Sequence, residues 1–128
     1  MYDVAPDGSL NAISGSPFAD LQTAPCWVAM SPDGHALFAV NTAVPSISRY
    51  SVAADGTLTL IGSTGFPSPT GLRPFDAQVS PDGGFLYVVD AGVAKISAFV
   101  VDGTSLTELP GSPFSIPGGA APFGMVVD

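Results

Sequence analysis

The stretch SPDGHALFAVN at residues 31–41 returns as SPDGGFLYVVD at residues 80–90. The two serines, Ser31 and Ser80, stand 49 positions apart. Self-similarity at a period of this size means one supersecondary unit repeated, each copy completing the burial of its neighbour. The match runs well past the opening words. ISRYSVAADGTLTLIGS at 47–63 returns as ISAFVVDGTSLTELPGS at 96–112, and YDVAPDGSLNAISGS at 2–16 is an earlier, partial copy. GSPF occurs at 15–18 and 111–114, and Pro25, Pro74 and Pro122 open successive copies at spacings of 49 and 48.

Within one period every signal is that of a strand. FLYVV, ISAFVV and TLTLI are short and rich in β-branched and aromatic residues, and Gly, Pro, Asp or Ser bounds each. No window carries sustained helical spacing with caps. SPDG reads as a hairpin turn, with Pro at the second position, Asp at the third and Gly where a left-handed residue is wanted. In the copy that starts at Pro74, four strands are predicted near 75–80, 85–90, 95–101 and 105–109. Four such strands with tight turns fill the period and match the size of a propeller blade. The runs LFAV and FLYVV are apolar without alternation, as middle strands covered on both faces should be. A β-sandwich is the rival architecture, but nothing in it requires a fixed repeat. The expectation is an all-β chain of β-propeller blades, each a four-stranded antiparallel sheet.

These motifs (SPDG-x-x-LYVV-[ND], IS-x-[YF]-x-V, GTLT and GSPF) resemble the lactonase-type seven-bladed β-propeller family, which includes 6-phosphogluconolactonase-like proteins and related carboxymuconate-cyclising enzymes. The likeness covers nearly the whole chain, and its motifs are largely structural. Against that template residues 1–16 are the end of one blade, 24–63 and 73–112 are blades, and 121–128 supply the innermost strand of another. The ring is therefore incomplete. The reading expects a partial chain, or a short chain whose copies associate to close the ring.

The resemblance implies hydrolysis of a sugar lactone or related cyclic ester. Such a reaction needs a base to activate water and donors or a cation for the developing oxyanion. In the family these groups lie around the central channel, where each innermost strand begins. The matching starts here are Pro25-Cys26-Trp27, Arg73-Pro74-Phe75-Asp76 and Pro122-Phe123-Gly124. Asp76 fills the slot held elsewhere by Trp27 and Gly124. It is the expected base, and Arg73, three positions before it, the electrostatic element. The plainer alternative is that the two pair across a loop. The Arg-His pair frequent at such starts in the family is absent, because Pro74 follows Arg73. A single cation near the channel also argues against a phosphorylated substrate. The different-class alternatives are a non-catalytic propeller binding protein or carbohydrate, and an inactive fragment.

Composition narrows the partners. The net charge is −8, but five of the 11 carboxylates sit in Asp-Gly turn pairs, which explains much of it. Arg49, Arg73 and Lys95 are the only Lys or Arg residues, too few to neutralise a nucleic-acid backbone or form a polybasic membrane patch. No apolar run reaches the roughly 20 residues of a membrane helix. A small-molecule lactone and self-association are the expected partnerships. Cys26 is the only cysteine, so no intramolecular disulfide forms, and it is expected to be a small buried hydrophobe. His35 is expected on an exposed turn, Trp27 inside a blade, and Asn41 and Asp90 as turn caps. No cofactor is expected. No metal is expected either, since the acids recur once per repeat without ligand spacing.

Overall fold

The computed structural model describes residues 1–68, 70–119 and 121–128. Its strands, in chain order, are β1 (Tyr2–Val4), β2 (Leu10–Ala12), β3 (Pro25–Met30), β4 (Ala36–Asn41), β5 (Ser46–Val52), β6 (Leu58–Gly65), β7 (Pro74–Val79), β8 (Phe85–Asp90), β9 (Lys95–Asp102), β10 (Ser105–Glu108) and β11 (Phe114–Ser115). They form an antiparallel hairpin β1-β2, a four-stranded sheet β3-β4-β5-β6, and a sheet β7-β8-β9-β10 to which β11 adds by pairing with β9. Among the described residues there is no helix. The two larger sheets are propeller blades, and the ring is not closed.

The hairpin turns explain the repeated SPDG. Ser31 Oγ donates to Asp33 Oδ1 at 2.5 Å, His35 N donates to the same oxygen at 3.0 Å, and Ala36 N donates to Ser31 Oγ at 2.9 Å. The second copy repeats this with Ser80, Asp82, Gly84 and Phe85 at 2.6, 3.0 and 2.9 Å. Gly34 and Gly83 take φ of 75° and 78°, a conformation costly for any residue with a Cβ. These bonds, the serine hydroxyl first, hold the carboxyls of Asp33 and Asp82 below the usual range.

The main core fills the seam between the two blades. Phe38, Val40 and Ile47 of the first blade meet Leu86, Val88 and Phe99 of the second, together with Phe66 and Leu72 from the connection. Phe66 stands edge-on to Phe99 at 5.6 Å between centroids. A smaller cluster of Leu37, Ala39 and Tyr50 lies on the other face of the first blade. There Tyr50 Oη donates to the Ala19 carbonyl at 3.3 Å, so the segment after β2 runs over that face. Every residue of β4 is buried, which accounts for its unbroken apolar run.

Both inner strands carry the same irregularity. The pairing of β3 with β4 shifts between Pro25 and Trp27, and that of β7 with β8 between Pro74 and Asp76. A one-residue bulge therefore sits at Cys26 and at Phe75, and it re-aims the next side chain. Two features differ from expectation. Residues 121–128 form no strand in the structure; they lean on β7, with Val127 N donating to Gln78 Oε1 at 3.2 Å. The second blade also gains β11, which pairs Phe114 with Ile96 and extends its outer edge past β10.

Candidate functional site

The starts of β3, β7 and the 121–128 segment converge at one end of the blades. Cys26, Trp27, Phe75, Asp76, Phe123 and Gly124 line a cleft of about 360 Å3 there. A shallower groove of about 320 Å3 continues down the inner strands past Met30, Gln78 and Met125, and Asp76 borders it too. Asp76 is 6% exposed, so its carboxylate stands at the junction of two hollows in a mainly apolar wall. The bulge at Phe75 puts it there by turning the strand one residue earlier than regular alternation would.

Arg73 is placed differently. Its side chain is exposed, with the guanidinium carbon 5.5 Å from the centre of the Phe75 ring, and it lines neither hollow. The stacking braces Phe75 from behind. The structure thus brings Asp76 together with three aromatic rings and leaves Arg73 at the rim. Phe75 and Phe123 stand 5.4 Å apart in a tilted pair.

Two other residues depart from expectation. Cys26 is exposed and lines the cleft, since the bulge lifts it out of the ladder. Trp27 is 49% exposed, because β3 has no sheet against its outer side among the described residues. His35 is exposed at the opposite end of the blades, beside Asp33, Asp82 and Thr104, far along β4 from the cleft. Among the described residues no group of three or more His, Cys, Asp or Glu is placed to hold a metal ion.

Asn41 and Asp90 are not turn caps. Both are fully buried at the ends of β4 and β8, and their side chains bond across to the next strand. Asn41 Nδ2 donates to Ser48 Oγ at 3.0 Å, and Ser97 Oγ donates to Asp90 Oδ2 at 2.6 Å. Burial first, with Glu108 adding to it against the pull of the Ser97 hydrogen bond and Lys95, pushes the Asp90 carboxyl up to about 6. The recurrence of Ser seven positions after each, at 48 and 97, was the available signal.

Neither a scan of protein-family profiles nor a search of curated proteins finds a match. Solved structures do match. A protein from Lactobacillus plantarum aligns at 25% identity and TM-score 0.74, over 89% of this chain and 34% of its own. A candidate 6-phosphogluconolactonase from Bacteroides fragilis gives 25% and 0.73, over 88% and 32%. A periplasmic gluconolactonase from Pseudomonas aeruginosa gives 20% and 0.66, over 94% and 36%. The chain spans about a third of the length of these structures. In fold it is a partial lactonase-like propeller.

Proposed function

We propose that this chain forms part of the wall of a propeller that hydrolyses a sugar lactone or related cyclic ester, with Asp76 as the base. The carrying observation is a buried carboxylate among aromatic rings at the start of an inner strand. Trp27, Phe75 and Phe123 stack on the C–H face of the lactone ring. Asp76 takes a proton from water as the water oxygen bonds to the ring carbonyl carbon. The ester C–O bond then breaks, and the proton returns from Asp76 to the departing alkoxide, giving the open hydroxy acid. Arg73 keeps Phe75 in place and adds positive charge at the rim. The structural neighbours include proteins described as lactonases, which supports the reaction class at the level of family likeness.

The test is hydrolysis of D-glucono-δ-lactone by the purified protein, followed by acid release and corrected for spontaneous opening. Asp76→Asn should lower kcat by about 100- to 10,000-fold. Turnover unchanged in that variant would sink the assignment. The second reading is a carbohydrate-binding module without turnover, favoured by the half-exposed Trp27 and by Phe123 at 72% exposure. Binding that persists in Asp76→Asn but is lost in Trp27→Ala would support it. We also propose that Val28 and Met30, exposed on β3, are covered when copies of the chain associate. Light scattering on the same preparation gives the mass, and a monomer at all concentrations refutes that part.

A further inference from the structure

Asp76 has a polar companion on its own strand. Ala77 and Val79 belong to the seam core, so the alternation of β7 turns Asp76 and Gln78 together to the opposite face. The matched pair in the first blade is Trp27 and Ala29, and in the last copy Gly124 and Val126. The inner strand that carries a carboxylate thus also carries a carboxamide, two positions further on, where the other copies have apolar residues. Both side chains belong to the groove of about 320 Å3 whose apolar wall includes Trp27, Met30 and Met125. Asp76, at 6% exposure, takes no hydrogen bond from the described residues. The carboxamide of Gln78 is held in one sense. Val127 N donates to Gln78 Oε1 at 3.2 Å, and a backbone N–H can only donate, so the oxygen faces the 121–128 segment. The other end, Nε2 with its two hydrogens, has no acceptor among the described residues. Gln78 is half-buried, which sets this donor in the wall of the groove.

The hydrolysis proposed for this cleft has a base in Asp76 but no donor for the carbonyl oxygen, because Arg73 lines neither hollow. As the water oxygen bonds to the ring carbonyl carbon, the π electrons of the C=O bond move onto its oxygen. A donor placed where that charge grows favours the transition state over the bound lactone. We propose that Gln78 Nε2 is this donor, hydrogen-bonded to the ring carbonyl oxygen of a lactone whose attacked carbon lies between Asp76 and Gln78. The assignment rests on the lactone hydrolysis proposed above. Two residues of strand separate the Cα atoms of the pair by about 6.5 Å, which leaves room for one water beside Asp76 and one carbonyl beside Gln78. No proton leaves Gln78. When the ester C–O bond breaks, the electron pair on the oxyanion re-forms C=O, the charge passes to the ring oxygen, and Asp76 returns its proton there.

Two variants of the purified protein separate donation from shape and from charge. Gln78→Glu keeps an acceptor for Val127 N and removes both N–H groups. Gln78→Met keeps the side-chain length, adds no charge, and removes donor and acceptor alike. Each should lower kcat on D-glucono-δ-lactone by about 100- to 1,000-fold and leave KM little changed. Loss in Gln78→Met alone would make Gln78 a brace for the 121–128 segment, and loss in Gln78→Glu alone would be repulsion of Asp76. Either result overturns the proposal, as does full turnover in both variants. A second readout is independent of turnover and so separates a failure here from a failure of Asp76 as the base. D-glucono-δ-lactam presents the same ring carbonyl and resists opening. Titrating it in should shift the side-chain amide resonances of Gln78, identified by their absence in Gln78→Met, in wild type and in Asp76→Asn alike. If wild type opens no lactone, the base assignment falls and this resonance alone decides: a shift keeps Gln78 as the donor to the ring carbonyl, and an unmoved amide removes it.

Discussion

The inner strands of the two blades, β3 and β7, share a bulge, a register and a pairing partner of the same kind, yet one is open and the other closed. Val28 and Met30 are 60% and 44% exposed, whereas their counterparts 49 positions on, Ala77 and Val79, are buried. The side chains do not account for this, since the exposed strand carries the larger apolar residues. Neighbours do: β7 lies between β3 and the 121–128 segment, and β3 has a partner on one side only among the described residues. In a stack of blades, burial is a property of the interface, not of the strand that supplies half of it.

The sharpest way to break this comparison is to empty matched positions of the second strands. Leu86 is wholly buried in the seam core, and Leu37 faces the thinner cover of the segment after β2. Leu86→Ala should cost about 4 kcal/mol and Leu37→Ala about 2.5 kcal/mol, read by urea unfolding. Equal costs would mean that the N-terminal segment seals its face as well as a full blade does. A smaller effect is expected at the next turn. A Cβ on Gly92 would lie 2.1 Å from the Gly71 carbonyl oxygen, while Ala43 holds the same slot of the first blade exposed. Gly92→Ala should therefore cost on the order of 1–3 kcal/mol. Ala43→Gly should cost about half a kcal/mol or less. The smallest effect belongs to the SPDG turns. Asp33 and Asp82 have lowered carboxyls, so their stabilisation is present above the ordinary value and disappears as pH falls through the folded one. Asp33→Asn and Asp82→Asn should each weaken the acid sensitivity of the melting point slightly. The change should be a little larger for Asp33, whose ionised form His35 also favours.

The all-β blade fold, the strands of the two full blades and the turn chemistry were legible because they depend on residues within a few positions of one another. The Ser-Asp-Gly geometry of 31–34 is local, and the sequence writes it twice. Asp76 was legible as an interruption of a repeat, since Trp27 stands where it would otherwise have a twin. What lay hidden depends on distant packing. Asp90 looks like a turn cap until the sheets are stacked and the seam removes it from water. Cys26 and Trp27 mislead in the opposite sense, because apolar character alone says nothing about whether a further blade covers them. Residues 121–128 have the composition of a strand, but among the described residues they pair with none.

The bulge at the second residue of each inner strand separates two inheritances. The ladder beneath it is identical in both blades, and the side chain just after it is a tryptophan in one and an aspartate in the other. Because the pairing resumes unchanged on either side, that position can be rewritten without disturbing what holds the blade together. Each repeat thus offers one interchangeable letter to the cleft that Trp27 and Asp76 line, whose vocabulary can drift while its grammar stays fixed.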